Sequence, residues 1–362
     1  MSWPDAVTVR QKNPSDLWVL WLDGASDQLV VQSLDTHAPA HARVALGDDP
    51  VGSDGLSAIR LDRARGRVIV ALAPPLSPHP PGPHGQHPQV PQEAQLLSLS
   101  LDTLRALYVA RTEPFSSVIS RTYADSLWLS SVDFLAASDG SRPRGDRVGV
   151  ISVFDPATLT RTAQHRVCMV PHDVVLTPER AYIACLGEDQ LITLALASGE
   201  VSRTSVGDSP GVFPSVRYAP RHLALDAVRQ RLWVTLQSER ALLSLDLRGG
   251  SMRPRARLAH RGIALAPVLL LDGELAVATR EPPSLFIVRG DSIAETLPID
   301  PSECSVPVAL EQSADGRVWL LCENTDRSGA MLSVRLSPTA RIEDRWELAG
   351  VPRAMALWGP TR

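Results

Sequence analysis

The stretch PRHLALDAVRQRLWVTLQSERALLSLDLRGG, from Pro220 to Gly250, is the clearest indication of the fold. It contains a mostly apolar segment at 222–225, a turn, a second apolar segment at 232–236, a polar turn, and a third segment at 241–247 in which apolar and polar residues alternate. Period-two alternation between turn-forming residues is typical of β-strands and not of helices. The stretch therefore predicts consecutive antiparallel strands joined by short turns.

The same unit recurs along the whole chain of 362 residues. Seven segments share an aromatic or aliphatic centre, and the gaps between successive centres are 51, 59, 54, 51, 43 and 43 residues. A strand-filled period of this size is the sequence signature of a β-propeller, in which each repeat forms one blade. We therefore predict an all-β, seven-bladed β-propeller with four-stranded antiparallel blades. The centres are Trp18, Ile69, Trp128, Tyr182, Trp233, Ala276 and Trp319.

The repeat predicts a single domain over residues 1–362. Two segments have the pattern of an inner strand for blade 1, Pro4–Val9 and Pro352–Leu357, and one blade has room for only one of them. We expect the C-terminal segment to complete blade 1, and the reverse arrangement stays open. The approximate blades are 1–53, 54–112, 113–168, 169–216, 217–261, 262–304 and 305–350, with 351–362 closing blade 1.

The segment LWVTLQSERALLSLDL, Leu232 to Leu247, resembles the repeat of the YVTN-type, YncE-like seven-bladed propellers. In that family a Tyr/Trp-Val-Thr strand precedes a Val/Leu-rich strand that ends in Asp. The resemblance covers most of the chain, although blades 2, 3 and 6 depart from the pattern. The resemblance implies the seven-bladed fold. It also makes hydrolase activity an alternative function, because related propellers include sugar lactonases. A Pro also recurs ahead of the inner strands, at Pro4, Pro171, Pro220, Pro267, Pro307 and Pro352.

Four cysteines form two pairs of nearly equal spacing, Cys168 with Cys185 and Cys304 with Cys322. In each pair the first cysteine precedes an inner strand and the second lies at the end of the next strand, so each pair can meet at one end of a blade. Three pairings are open to four cysteines, and the shared spacing favours the two within-blade disulfides. Buried free thiols and metal ligation are the alternatives.

The first positions of the inner strands are expected to face the mouth of the central channel, where propellers bind ligands. Four basic residues occupy or adjoin these positions: His172, Arg221, His222 and Arg353. Together they would form a cationic concavity suited to a carboxylate, a phosphate or an acidic loop. The alternative is that each side chain points into solvent or pairs with a nearby acid such as Asp173.

Two further sets of residues suggest metal binding. Cys168, His172 and Cys185 offer the soft sulfur and imidazole donors that suit copper or zinc, but a disulfide would use both sulfurs. A Pro-rich segment at 74–95 carries three more histidines, and His-rich tracts can capture transition metals. Such a segment is more often a surface loop without a site. We therefore predict no cofactor, with copper or zinc as the alternative; the three histidines are His79, His84 and His87.

Composition and charge limit the partners and the cellular compartment that we expect for this protein. The net charge of −4 is small and spread along the chain, which argues against nucleic acid as a partner. No apolar run is long enough to span a membrane, and the N-terminus shows no signal peptide. Lys12 stands alone against 35 arginines, a bias typical of a GC-rich bacterial genome. Because disulfides need an oxidising compartment, we expect a periplasmic or extracellular protein.

The sequence contains no His-Glu-x-x-His or phosphate-loop motif. The favoured hypothesis is therefore a bacterial, extracytoplasmic binding module that takes a small anionic ligand or a protein partner at its channel face. The alternative is an enzyme, either a lactonase-like hydrolase or a metal-dependent oxidoreductase of a biosynthetic pathway.

Overall fold

The computed structural model describes residues 16–26, 28–35, 41–46, 57–72, 93–114, 120–123, 126–131, 143, 147–208, 211–212 and 215–359. The described chain is all-β, and its strands form seven antiparallel sheets arranged as the blades of a β-propeller. The predicted fold class is confirmed. The N-terminal Pro4–Val9 segment and the three histidines of the Pro-rich segment lie outside the described residues.

The chain divides into two compact units, of which the first comprises residues 1–166 and 350–362. It contains blades 1 to 3 and a short 3-10 turn at Arg63–Arg65. The C-terminal strand β29 pairs with β1 in antiparallel register, so the C-terminal segment completes blade 1 as expected. The strands are β1 (Trp18–Asp23), β2 (Gln28–Ser33), β3 (Ala42–Ala45), β4 (Ser57–Asp62), β5 (Arg67–Leu72), β6 (Glu93–Ser100), β7 (Ala106–Pro114), β8 (Ser120–Tyr123), β9 (Ser126–Ser131), β10 (Val150–Phe154), β11 (Arg161–Arg166) and β29 (Pro352–Trp358).

The second unit comprises residues 167–349 and contains blades 4 to 7, with a 3-10 turn at Arg248–Gly250. In blade 6 the inner strand is broken into two short pieces, β20 and β21, which both pair with β22. The strands are β12 (Pro171–Leu176), β13 (Arg180–Cys185), β14 (Gln190–Ala195), β15 (Val201–Ser205), β16 (Pro220–Asp226), β17 (Arg231–Leu236), β18 (Ala241–Asp246), β19 (Arg253–Ala259), β20 (Ile263–Ala264), β21 (Val268–Leu269), β22 (Leu275–Arg280), β23 (Ser284–Arg289), β24 (Ser292–Pro298), β25 (Val306–Gln312), β26 (Val318–Glu323), β27 (Gly329–Arg335) and β28 (Arg341–Leu348).

Burial explains why each repeat has a continuous apolar segment and a segment of alternating residues. The second strand of each blade is packed on both faces, so β17 is buried from Leu232 to Leu236 and carries the repeat centre Trp233. Strands covered on both faces read as continuous apolar runs. The outermost strand has one free edge, and β19 and β24 alternate exposed and half-buried residues. Charged side chains on such an edge discourage pairing with another chain.

In the described part of the chain, no helix has the length and apolar character needed to cross a membrane.

Candidate functional site

The inner strands of four blades begin with the same irregularity. After the first Pro of the strand, one extra residue is inserted opposite the second strand, which makes a β-bulge. A bulge locally increases the twist and redirects the side chains beside it. The residue after the Pro is therefore displaced from the regular alternation of the strand. The residues that follow the Pro are His172 in blade 4, Arg221 in blade 5, Val308 in blade 7 and Arg353 in blade 1.

The bulges of blades 4 and 5 bring two of the predicted site residues into contact. Arg221 Nε donates a hydrogen bond to His172 Nε2 at 3.2 Å. The imidazole must accept at this nitrogen, so its proton resides on Nδ1. Burial lowers the pKa of His172 to about 3, and the charge of Arg221 lowers it further in the same direction. His172 is thus a neutral acceptor that orients the guanidinium.

The charge of Arg221 lacks an acidic partner in the described part of the chain. Its other hydrogen bond runs from Nη1 to Gln237 Oε1 at 3.1 Å. Burial lowers the pKa of Arg221 to about 10, and the nearby cation Arg280 adds to that shift. The guanidinium still carries its charge at neutral pH. Arg221 thus has two neutral side chains as hydrogen-bond partners, and Arg280, whose Nε donates to Pro307 O at 2.7 Å, is a second cation nearby.

His222 follows Arg221 in the same bulge. Its ring lies edge-on to the His172 ring, with the centroids 4.8 Å apart and the planes at 88°. Its backbone N–H donates to Thr235 Oγ1 at 3.0 Å. The structure brings together three of the four predicted ring residues: His172, Arg221 and His222.

Asp173 is fully buried, and its carboxylate links blade 4 to blade 5. Oδ2 accepts the N–H of Leu223 at 2.8 Å, and Oδ1 accepts the N–H of Val174 at 2.7 Å. A bulge removes backbone groups from the ladder, and buried N–H groups need partners. Asp173 therefore serves the backbone around the bulge of blade 5.

The fourth predicted residue, Arg353, belongs to the first unit and occupies the bulge of blade 1. It lies over Gly24, where an added Cβ would come within 2.7 Å of Arg353 Nε. The carboxylate of Asp23 accepts the N–H of Val351 at 2.9 Å and so holds the chain that leads into β29. The place of Arg353 in a common ring stays a prediction.

Both within-blade disulfides are present, Cys168–Cys185 in blade 4 and Cys304–Cys322 in blade 7. Each joins a cysteine three residues ahead of the inner-strand Pro to the residue paired with that Pro across the ladder. All four sulfurs are buried and none is free. The predicted disulfides are confirmed, and the alternative of four free thiols is contradicted.

The metal alternative loses its sulfur donors in this arrangement, because Cys168 and Cys185 are bonded to each other. The remaining member of that set, His172, uses Nε2 to accept from Arg221. Within the described ranges no three His, Cys, Asp or Glu side chains come close enough to hold a metal ion. Whether the protein uses copper or zinc stays a prediction, and these residues do not supply the site.

Sequence reasoning missed three residues that shape the site: Gln237, Arg280 and Asp189. Gln237 directly follows β17 and Arg280 ends β22, which are equivalent positions in blades 5 and 6. The alignment of second strands contained that signal. Asp189 is fully buried and accepts four backbone N–H groups of the segment that leads into β16. A turn residue with this role has no sequence signature.

No family model and no curated protein matches this sequence. Solved structures do match the fold. A periplasmic gluconolactonase of Pseudomonas aeruginosa, PpgL, aligns with a TM-score of 0.64 at 16% identity, over 95% of this chain and 98% of its own. A protein from Lactobacillus plantarum aligns with a TM-score of 0.66 at 14% identity, over 95% and 99%. The dihydro-heme d1 dehydrogenase NirN aligns at 0.53 and 12% identity, over 97% and 77%.

The fold is a seven-bladed β-propeller. At these identities the similarity extends to the fold alone, so the chemistry has to be argued from the residues. The candidate site contains a largely buried guanidinium, two imidazoles and a second cation nearby. Such a set binds carboxylate or phosphate groups through charge-assisted hydrogen bonds.

Proposed function

We propose that this chain is an extracytoplasmic, YVTN-like binding propeller that takes a small anionic ligand where the inner strands of blades 4 and 5 begin. The observation that carries the proposal is Arg221, a largely buried cation whose two side-chain hydrogen bonds go to the neutral groups of His172 and Gln237. A buried charge is costly unless it is paired. A ligand carboxylate or phosphate would supply the missing partner.

Other arginines of the second unit show how this chain usually compensates a guanidinium. Arg203 pairs with Glu188 at 3.0 Å, and Arg231 pairs with Asp291 at 3.2 Å. Arg221 departs from this arrangement although it is more buried than Arg203, and Arg280 adds positive charge beside it. The excess of positive charge favours an anion over a neutral ligand.

The compartment is part of the proposal. Two buried disulfides are typical of proteins that fold in an oxidising environment, and a structure with the same fold is a periplasmic enzyme. A protein partner with an acidic loop could use the same cations. The burial of Arg221 favours a small molecule, which needs less room around the guanidinium than a protein loop.

The test is calorimetric titration with inorganic phosphate, citrate and 6-phosphogluconate. We expect at least one of them to bind, and Arg221→Gln to weaken that binding by roughly 10- to 100-fold, the worth of hydrogen bonds to a charged group. Arg231→Gln is the matched control, since it removes an arginine of the same blade that already has an acidic partner. Equal affinities for the wild type and Arg221→Gln would overturn the proposal.

Lactone hydrolysis is the second candidate function. It is supported by the gluconolactonase of the same fold and by the two imidazoles beside Arg221. With its pKa lowered to about 3, His172 is a poor proton acceptor at neutral pH, so His222 is the residue to test as a base. Hydrolysis of glucono-δ-lactone that Arg221→Gln and His222→Gln both abolish would favour the enzyme. Binding of gluconate without turnover would favour the binding module.

A further inference from the structure

We infer that the turn Leu186–Asp189, together with the Cys168–Cys185 disulfide at its start, is the positioning element that presets His172 and Arg221. This inference rests on the proposed anion site. It concerns how the site is built, because one short turn reaches the chain just ahead of both bulges. We call Leu186–Asp189 the clamp turn.

Both functional strands are preceded by a strained residue. Val170, just ahead of Pro171, has φ +54°, and Ala219, just ahead of Pro220, has φ +51°. Positive φ is unfavourable for residues with a Cβ, most of all for a β-branched one, and persists only where surrounding structure enforces it. The equivalent residues Val306 in blade 7 and Val351 in blade 1 do not have positive φ. The strain thus marks the two blades that supply the His172–Arg221 pair.

In blade 4 the clamp turn holds the strained chain by covalent and backbone links. The disulfide fixes Cys168 to the residue before the turn. Leu186 N donates to Val170 O at 3.0 Å, and Gly187 N donates to Met169 O at 3.2 Å. The chains approach so closely that a Cβ on Gly187 would lie 2.8 Å from Met169 O. Residues 168–170 are therefore tied to the turn along their whole length.

A side chain of the clamp turn adds a further link in blade 4. Glu188 is buried and pairs with Arg203 at 3.0 Å. Arg203 in turn donates from Nη2 to Val167 O at 2.8 Å, on the residue ahead of the disulfide. The chain that leads into β12 is thus held by hydrogen bonds on both sides of Cys168.

In blade 5 the same turn acts through Asp189. One carboxylate oxygen accepts the N–H groups of Tyr218 at 2.8 Å and Ala219 at 2.7 Å. The other accepts the N–H groups of Gly211 at 2.8 Å and Arg217 at 2.6 Å. Four backbone N–H groups converging on a carboxylate make a strong anion-holding nest. The nest ends one residue before Pro220, so it sets the direction in which Arg221 leaves.

Blade 7 provides the internal comparison. Its disulfide Cys304–Cys322 occupies the equivalent place, yet its bulge carries the apolar Val308 and its pre-Pro residue has ordinary φ. A staple at this place is thus compatible with a blade that has no charged bulge residue. The clamp function belongs to blade 4, where the stapled turn continues into Asp189.

The experiment compares Cys168→Ser/Cys185→Ser and Asp189→Asn with Cys304→Ser/Cys322→Ser as the matched control. The probe is inorganic phosphate, or citrate if phosphate does not bind, well below the unfolding temperature of each variant. We expect the two clamp variants to lose about tenfold in affinity through lost preorganisation, and the control to keep the wild-type affinity. Equal affinity in the clamp variants and the control would overturn the inference.

A second readout separates positioning from general destabilisation. Nitrogen-15 NMR of the histidine rings reports the tautomer, and His172 should be protonated at Nδ1 in the wild type and in the control. In the clamp variants we expect a mixture of tautomers, because the Arg221 donor is displaced. An unchanged Nδ1–H tautomer in both clamp variants would contradict the inference. If Asp189→Asn does not fold, the cysteine variant carries the test alone.

The affinity and tautomer measurements together show which of the two proposals fails. If the wild type binds none of the probes, the anion-site proposal fails, while the tautomer comparison still decides whether the turn positions the pair. If the wild type binds and the clamp variants bind equally well, the anion site stands and the clamp inference falls.

Discussion

Blades 4 and 7 carry the same covalent staple and differ in what the staple supports. In both blades a disulfide joins the chain ahead of the inner-strand Pro to the second strand. In blade 4 the bulge residue is His172, in contact with Arg221, and the turn beyond Cys185 ends in the nest of Asp189. In blade 7 the bulge residue is Val308.

The disulfide is therefore a feature that both blades share, and blade 4 differs from blade 7 in the residues around it. The repeat provides a Pro, a bulge and a staple. The proposed anion site has in addition a basic side chain in the bulge, a strained residue before the Pro and an acid that holds the next blade. These additions occur together only where blades 4 and 5 meet, within the described chain.

The largest expected effect is the one the two blades share. Removing either disulfide, by Cys168→Ser/Cys185→Ser or by Cys304→Ser/Cys322→Ser, should lower the free energy of unfolding by about 3 kcal/mol, since the sequence separations of 17 and 18 close loops of nearly equal entropy. Urea denaturation measures both. A loss of stability in only one of the two variants would contradict the prediction that the two disulfides contribute equally.

A smaller effect should distinguish the blades. Gly187→Ala places a Cβ 2.8 Å from Met169 O, so the turn must shift, at a cost of about 2 kcal/mol in unfolding free energy and a loss of anion affinity. The control is Asn324→Ala, at the equivalent place in blade 7, which removes the hydrogen bond to Ser328. That variant should lose stability and keep its affinity. Loss of anion affinity in both variants would mean that affinity depends on the general stability of the propeller and not on the turn of blade 4.

The smallest effect is a pH dependence that blade 7 cannot show. The pKa of His172 falls from 6.5 in the unfolded chain to about 3 in the fold, so acid favours the unfolded chain between these values. Stability should fall as the pH is lowered from 6.5 toward 3, by about 1 kcal/mol between pH 7 and pH 5.5. Urea denaturation of the wild type and of His172→Val at both pH values isolates the contribution of His172 to the pH dependence of stability. The same slope in the variant would show that His172 does not cause it.

Much of the fold could be predicted because its causes are local. The alternation in Leu232–Leu247 and the recurring centres reflect burial within each blade. The nearly equal spacing of the two cysteine pairs reflects their equivalent places against Pro171 and Pro307. The resemblance of Pro171-His172 to Pro220-Arg221 also placed two site residues at equivalent strand entries, because the Pro and the bulge repeat together.

The rest of the site depends on contacts between blades, which no single repeat encodes. The hydrogen bond from Arg221 to His172 joins residues 49 positions apart. The Asp189 nest depends on backbone N–H groups, which every residue but Pro carries, so no residue type in 211–219 reveals it. The positive φ of Val170 opposes its own preference and is imposed by tertiary structure.

The most direct test of the anion site is a crystal structure of the protein grown or soaked with phosphate. We predict a phosphate oxygen within about 3 Å of the Arg221 guanidinium, a normal hydrogen-bond distance, with the Arg221–His172 contact kept. Phosphate bound elsewhere on the molecule, with the Arg221 guanidinium uncontacted at saturating concentration, would contradict it.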